Sequence, residues 1–383
     1  MPPSRSRDHN SWVMTGAVIA TAGVFVISLG LMYPLLALIL KKQGVSATLI
    51  GLNSAMTPLG VILSAPLIPR LAQRLGAGLL ALICTALTAV LLLLIGAFKD
   101  LWVWFPVRLA LGMVINGPYI ISETWVNELA TSRTRGRIMG FYTTILSAGF
   151  ALGPFILALT GSDGWAPFGV VITILALTAL GLFFARSHLP EFSAGGRGSI
   201  RTFLPLVPLL LVGVGVCAFF DQAVLAFLPV YGLHFGLSER IGAVAVGVLI
   251  SGNVLMQFPI GWATDLLSRR AVMIGCALLT AAGGLVLPMV ITVPILLWPL
   301  LFFWGAAAFG IYTVALTELG DRFSGSMLLA GNAAFAMVWG LGGILGTPVA
   351  GGAMDLVGPH GLPTSLGLLF FSLAAFLSFR RPA

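Results

Sequence analysis

Three ionisable side chains stand well inside long apolar segments, and their types are the ones that could do chemistry there. They are Arg108, Glu123 and Asp221. A charge at the middle of a bilayer costs at least about 2.5 to 3.5 kcal/mol, so such groups usually face a bundle interior or a watery cavity. In that setting a carboxylate can bind and release a proton, and an arginine can bind an anion.

Arg108 and Glu123 belong to one apolar segment, residues 101–130, which predicts a helix. At about 100° per residue, a stripe about 80° wide holds Arg108, Asn116, Tyr119 and Glu123. This helix therefore has one polar face. Because 15 residues rise about 1.5 Å each, Arg108 and Glu123 are about 22 Å apart and must have separate roles.

Glu123 is the first candidate for a proton carrier, because a carboxylate among apolar residues can exchange a proton as its access to water alternates. The alternative is a structural glutamate bonded to Tyr142 or Thr143. Asp221 is the second candidate. Arg108 is interpreted as an anion-binding arginine whose pairing with Asp221 switches. The alternatives are a permanent buried ion pair and a bond to backbone carbonyls.

The composition predicts an all-α integral membrane protein. Of the 383 residues, 58% are hydrophobic and 8% are charged, against about 25% charged in a soluble domain. An apolar run of about 20 residues can cross the bilayer as a helix. Twelve spans are predicted, near residues 12–40, 48–69, 77–98, 101–130, 138–160, 164–185, 203–234, 241–263, 271–291, 295–319, 327–353 and 362–379.

The net charge of +8 is explained by topology and not by a nucleic-acid partner. About fifteen basic residues fall on one side of the twelve spans and about four on the other, which the positive-inside rule interprets as cytoplasmic N- and C-termini. The three cysteines fall inside predicted spans, which indicates packing residues and not disulfides or metal ligands. We therefore predict a multi-pass protein of the plasma (inner) membrane with no metal site.

Two charged turns, at 69–78 and 261–270, follow the second span of each half of the chain and indicate an internal repeat. The polar segment 186–202, rich in Gly, Ser and Arg, is typical of a flexible cytoplasmic linker. We therefore predict two pseudo-symmetric six-helix bundles, residues 1–186 and 203–383, joined by a linker at 187–202.

At these turns the sequence resembles the major facilitator superfamily of secondary transporters, whose second-to-third-span loop carries a Gly-x-x-x-Asp-x-x-x-Arg-Arg/Lys pattern. The second turn matches the pattern at Gly261, Asp265, Arg269 and Arg270. The first turn departs from it, with Pro69 in place of the Gly and Gln73 in place of the Asp. RLALG at 108–112 and GFALGP at 149–154 are similar to the family's fourth-span arginine motif and to its fifth-span motif associated with antiporters.

The resemblance implies transport by alternating access between two bundles, with a central cavity lined by spans one, four, seven and ten. We expect five residues to line that cavity and contact a substrate: Arg108, Asn116, Tyr119, Tyr312 and Asn332.

The resemblance also implies a gate at the cytoplasmic rim, with polar contacts that form in one state and break in the other. Asp265 would contact neighbouring helix ends. Arg269 or Arg270 would pair with acids, for which the candidates are Glu318 and Asp321. Glu128 would take over part of the role that the first turn loses at Gln73.

The antiporter motif favours export of a small organic solute in exchange for protons. Two alternatives remain open, namely proton-coupled symport of a small anionic metabolite attracted by Arg108, and uncoupled facilitated diffusion. A membrane enzyme is disfavoured because no nucleophile motif surrounds the four histidines, which fall in tails, loops or at a span edge. A channel suits the two-half repeat less well than a carrier does. We predict a monomer that needs no cofactor.

Overall fold

The computed structural model describes residues 5–129, 135–185, 200–323 and 325–379. The described chain is helical, and twelve of its helices are long and apolar enough to span a membrane, which confirms the predicted fold class. They are called helix 1 to helix 12 in chain order. Their bounds are Arg5–Lys42, Ala47–Ser64, Ala77–Ala97, Leu101–Leu129, Arg135–Thr160, Ala166–Ala185, Pro208–His234, Glu239–Leu266, Arg269–Val290, Pro294–Arg322, Gly325–Val357 and Gly361–Phe379.

An even number of crossings puts the start of helix 1 and the end of helix 12 on the same side of the bundle, which we call the near side. The opposite side, where helix 1 ends and helix 2 begins, is called the far side. Most of the predicted linker, residues 187–199, lies outside the described residues.

The first charged turn differs from the prediction, because helix 2 ends at Ser64 and a separate short helix follows at Ile68–Leu75. Pro66 and Pro69 explain the difference. Proline lacks the backbone N–H that would continue helix 2, but it is well tolerated in the first turn of a new helix, where Pro69 lies.

Within the first half, helix 2 packs closely against helix 4, and helix 1 against helix 5. The closest approach is at Gly112, where an added Cβ would lie 2.0 Å from the carbonyl oxygen of Thr57. Only glycine allows two helices to come this near. Polar side chains of helix 2 are therefore pressed directly against helix 4.

The two halves meet chiefly through helix 2 with helix 11, helix 5 with helix 8, and helix 1 with helix 7. Where helix 2 crosses helix 11, a Cβ on Gly51 would lie 2.2 Å from the Thr347 carbonyl oxygen. The Thr347 hydroxyl also donates a 2.8 Å hydrogen bond to the Gly51 carbonyl oxygen. Both residues lie in the far-side part of their helices, so the halves are tightly joined there.

Candidate functional site

Glu123 lies in the near-side third of helix 4 and is surrounded by tyrosines from three helices. Tyr119 stands one helical turn before it, Tyr142 comes from helix 5, and Tyr312 comes from helix 10 in the other half. Each tyrosine lies close enough to Glu123 for electrostatic interaction. The structure therefore brings together the predicted proton carrier and two predicted cavity residues, one from each half.

The wall of this region in the second half is aromatic. The ring centroid of Tyr312 is 5.0 Å from that of Trp339 and 6.4 Å from that of Phe335. Asn332, three residues before Phe335 on helix 11, is exposed. Opposite this wall, the Tyr119 side chain is 47% exposed. The region thus combines aromatic rings, phenol hydroxyls and one carboxylate.

The hydroxyl of Tyr142 is engaged elsewhere, in a 2.8 Å hydrogen bond shared with the hydroxyl of Ser122. Ser122 also donates to the Tyr119 carbonyl oxygen at 3.0 Å. These contacts fix helix 5 against helix 4 beside Glu123.

The structure places Arg108 against helix 2 and not against Asp221. The guanidinium is 1% exposed, and its Nη1 donates to Asn53 Oδ1 at 3.1 Å and to Ser54 Oγ at 3.3 Å. The close crossing of helices 2 and 4 makes these side chains its nearest acceptors. Among the described residues, neither a carboxylate nor a backbone carbonyl accepts from Arg108. In this conformation the expected switching pair, the permanent ion pair and the backbone-carbonyl alternative are therefore all absent from the described residues.

Asn53 is the residue at this contact whose hydrogen bonding is incomplete. It is fully buried, and its Nδ2 finds no partner among the described residues, although its Oδ1 accepts from Arg108. Asn53, Ser54 and Thr57 share one face of helix 2, and this polar spacing is the sequence signal that could have identified the partners of Arg108.

Asn116 also faces helix 2. It is 6% exposed, and its Nδ2 donates at 3.0 Å both to the Val61 carbonyl oxygen and to Ser64 Oγ. The polar stripe of helix 4 therefore divides into two parts. Its Arg108 and Asn116 part packs on helix 2, and its Tyr119 and Glu123 part faces the other half.

Asp221 lies buried near the middle of helix 7, where its Oδ2 accepts a 3.0 Å hydrogen bond from the Gln222 amide. Tyr33 of helix 1 lies close enough to both Arg108 and Asp221 for electrostatic interaction. Tyr33 therefore lies in the neighbourhood of both residues. Sequence reasoning did not single out Tyr33.

A cluster of charged residues joins the halves at the far side. The ammonium of Lys42, at the end of helix 1, lies 2.8 Å from Asp163 Oδ1 and 2.6 Å from Glu239 Oε1 at the start of helix 8. Lys42 also donates to Ser162 Oγ at 2.8 Å, and Ser162 in turn donates to Glu239. We call these four residues, Lys42, Ser162, Asp163 and Glu239, the far-side latch.

A second far-side contact places the carboxylate of Asp355, near the end of helix 11, at the first turn of helix 2. Asp355 accepts from the backbone N–H of Ala47 at 3.0 Å and of Thr48 at 2.8 Å. The first N–H groups of a helix have no partner within it and carry partial positive charge, so an aspartate is favourable there. This contact also crosses between the halves and was not predicted.

The predicted gating residues at the near side are arranged within the second half. Arg269 pairs with Asp321. Arg322 pairs with Glu318 at 2.9 Å in the same helix. The expected contact of Arg269 with an acid is therefore present, and it does not cross to the first half.

Two other predicted gating residues, Arg270 and Asp265, form no ion pair with an acid or a base among the described residues. Arg270 donates to the carbonyl oxygens of Leu377 at 2.8 Å and Ser378 at 3.0 Å, which ties helix 9 to helix 12. No hydrogen bond or ion pair joins Asp265 to a described residue. The side chain of Glu128 lies outside the described part of the structure.

Comparison with known proteins places nearly the whole chain in one family of membrane transporters. The family model named Major Facilitator Superfamily matches residues 18–254 and 210–383. The uncharacterized MFS-type transporter YfkF of Bacillus subtilis is 30% identical over 333 residues, which cover 85% of this chain and 84% of YfkF. The uncharacterized MFS-type transporter YcaD of Escherichia coli is 24% identical, over 87% of this chain and 86% of YcaD.

Solved structures share the fold at low sequence identity. A bacterial homologue of the human lysosomal transporter Spinster has a TM-score of 0.79 at 14% identity, covering 96% of each chain. The D-xylose-proton symporter has a TM-score of 0.76 at 18% identity, covering 97% of this chain and 98% of the symporter. The nucleoside transporter NupG has a TM-score of 0.75 at 14% identity, covering 96% of this chain and 97% of NupG.

Proposed function

Because the chain belongs to the Major Facilitator Superfamily, we propose that this membrane transporter is a proton-coupled antiporter that exports a small organic solute by alternating access. The observation that carries the proposal is the position of Glu123, a carboxylate in the near-side third of helix 4, among Tyr119, Tyr142 and Tyr312. A carboxylate placed between two halves that rock against each other can take a proton on one side and release it on the other.

The near side is taken as the cytoplasm, because the excess of basic residues lies there. The protein then lies in the plasma (inner) membrane as a monomer with both termini in the cytoplasm. In the described conformation the far side is closed by the far-side latch and by Asp355. The near-side region around Glu123 is therefore the part that a cytoplasmic solute reaches.

In the proposed cycle, the proton and the solute compete for the region around Glu123. Glu123 releases its proton to the cytoplasm, and the solute binds against Tyr119 and the Tyr312–Trp339 wall. The far-side contacts then break while the near side closes. On the far side the solute leaves, Glu123 takes a proton from outside, and the return of the halves carries this proton inward. Each solute molecule that leaves is exchanged for at least one proton that enters.

A second candidate function is proton-coupled symport, in which the protein takes up a small anionic metabolite. It is favoured by Arg108, whose buried charge is surrounded by neutral acceptors on helix 2. An anionic group could compensate that charge. Asp221 would then be the proton site, since it shares Tyr33 as a neighbour with Arg108.

The test begins with purified protein and a metabolite and drug library, screened for an increase in melting temperature at about pH 5.5 and about pH 7.5. A ligand that binds only the folded protein raises its stability by mass action. Each hit is then assayed in proteoliposomes with a trapped pH indicator. The variants are Glu123→Gln, Asp221→Asn and, as a matched control in the predicted linker, Glu191→Gln.

Antiport predicts that an outward gradient of the hit drives protons inward in the wild type and in Glu191→Gln, and that Glu123→Gln abolishes this flux. Symport predicts that protons and solute move in the same direction and that Asp221→Asn removes the coupling. Hits that are transported without any proton movement would mean facilitated diffusion, and proton flux that is intact in Glu123→Gln would remove Glu123 from the mechanism.

A further inference from the structure

The short helix Ile68–Leu75, which joins helices 2 and 3 at the near side, has three distinct faces. At about 100° per residue, Ile68 and Ala72 form one face, and they are buried against the protein with 3% and 1% exposure. Leu71 and Leu75 form an exposed apolar stripe beside it. Arg70 and Arg74 form a basic stripe on the other side of the leucines, and both are exposed.

The exposure of the leucines is notable for a helix at a membrane boundary. Leu67, Leu71 and Leu75 follow one another at intervals of four residues, and they are 41%, 39% and 46% exposed. An apolar stripe of this kind is stable where lipid chains cover it. The basic stripe next to it is then placed at the depth of the lipid head groups, where arginine stems extend toward phosphate.

The equivalent turn of the second half uses its arginines differently. Arg269 pairs with Asp321, and Arg270 binds two carbonyl oxygens of helix 12. In the first half, no hydrogen bond or ion pair joins Arg70 or Arg74 to a described residue. The two turns therefore share basic residues, but among the described residues only the second turn has protein acceptors for them.

The local sequence explains this asymmetry. In the second half, helix 8 runs to Leu266 and helix 9 begins at Arg269, which leaves a two-residue link. In the first half, Pro66 and Pro69 end helix 2 early and start a separate amphipathic helix. The basic residues of this helix, Arg70 and Arg74, are thereby held on its exposed side.

We infer that the helix Ile68–Leu75 is a binding site for an anionic glycerophospholipid, with the lipid phosphate held by Arg70 and Arg74 and the acyl chains lying on Leu67, Leu71 and Leu75. Charge complementarity selects the anionic lipid, since two arginines stand together here without a facing carboxylate from a described residue.

The experiment is thermal unfolding of the full-length protein in detergent, with phosphatidylglycerol added at increasing concentration. Phosphatidylcholine and inorganic phosphate are added in parallel. The variant is Arg70→Gln/Arg74→Gln. The matched control is Lys99→Gln/Arg240→Gln, which also removes two positive charges, but from the far side.

We expect phosphatidylglycerol to raise the melting temperature of the wild type more than phosphatidylcholine does, and phosphate to have no such effect. Each basic residue contributes about 1 kcal/mol near an anionic surface, so the double variant should bind phosphatidylglycerol about thirtyfold more weakly. The far-side control should keep the wild-type response. A preference for phosphatidylglycerol that is unchanged in Arg70→Gln/Arg74→Gln would overturn the inference, and so would an equal response to phosphate alone.

If the double glutamine variant does not fold, Arg70→Lys/Arg74→Lys and Leu71→Ser take its place. A lipid phosphate accepts lysine as a point charge, so the lysine variant should retain the preference for phosphatidylglycerol. Leu71→Ser should weaken binding of both lipids and leave the preference between them unchanged. Loss of the preference in the lysine variant would contradict the inferred phosphate contact.

Discussion

The ammonium of Lys42 lies 2.6 Å from the carboxylate of Glu239, and this contact joins the end of helix 1 to the start of helix 8 across the two halves of the protein. Asp163 and Ser162 complete the contact from the connection between helices 5 and 6. Only the bonds to Glu239, from Lys42 and from Ser162, cross between the halves. Because the far sides of the halves must separate in alternating access, these two bonds belong to only one of the two states. Their removal should therefore change the balance between the states and leave each bundle intact.

Lys42→Gln should shift the protein toward the state that is open on the far side. Partly exposed ion pairs contribute about 1 kcal/mol or less, which corresponds to a change of about fivefold or less in the ratio of the states. The measurement is the distance distribution between spin labels on Gln43→Cys and Arg240→Cys, both exposed positions. The native cysteines are buried and should remain unlabelled. An unchanged distribution would show that the far-side latch does not control opening.

Asp355→Asn should open the same side by a separate route. The substitution removes the negative charge from the first turn of helix 2 and leaves one acceptor for the N–H groups of Ala47 and Thr48. The state that is closed on the far side should lose about 1 kcal/mol of stability, from the interaction with the helix dipole and from one hydrogen bond. The double variant with Lys42→Gln should show additive shifts, since the two contacts share no partner. Strong non-additivity would mean that the two contacts act as one unit.

The sequence predicted the twelve helices because each apolar run is as long as the bilayer is thick, and this signal is local. It also predicted the polar face of helix 4 from the 100° spacing, and the structure places Tyr119 and Glu123 of that face near Tyr312. The far-side contacts could not be predicted in the same way. Lys42 and Glu239 are nearly 200 residues apart in the chain, and nothing in either segment indicates its partner.

The position of Arg108 shows a second limit of prediction from a single sequence. Its place in an apolar segment indicated a costly buried charge, and Asp221 was the obvious acid to compensate it. The acceptors are instead the neutral side chains of Asn53 and Ser54, because helices 2 and 4 approach closely at Gly112. A single sequence does not reveal which two helices make such an approach, so the partner of a buried charge stays undetermined until the packing is known.

Gly51→Ala should also favour opening of the far side, through packing and not charge. The new Cβ would lie 2.2 Å from the Thr347 carbonyl oxygen, so helices 2 and 11 would have to move apart. Overpacking costs about 1 to 3 kcal/mol, and here the cost falls on the state that is closed on the far side. The ratio of the open to the closed state should therefore rise roughly 5- to 150-fold. The distance distribution between spin labels on Gln43→Cys and Arg240→Cys measures this change. Gly275→Ala is the control, because its Cβ would meet open space. Equal effects of the two alanines would contradict the packing explanation.

Asn53→Asp should stabilise the protein, although it places a further ionisable group within the bundle. Asp has nearly the same shape, so Oδ1 still accepts from Arg108, and the buried Nδ2 without a described partner is replaced by an oxygen. The buried guanidinium then gains a carboxylate, and we expect the unfolding free energy to rise by about 1 to 3 kcal/mol. The measurement is the apparent melting temperature in detergent.

The matched control for this prediction is Asn116→Asp on helix 4. Its Nδ2 already donates to the Val61 carbonyl oxygen and to Ser64 Oγ, so an oxygen at that position would lose one hydrogen bond and face a carbonyl oxygen. This variant should melt at a lower temperature than the wild type. The opposite signs of two identical substitutions would show that Arg108 carries an uncompensated charge in the described conformation. A lower melting temperature for Asn53→Asp would show instead that Asn53 Nδ2 has an acceptor in the folded protein.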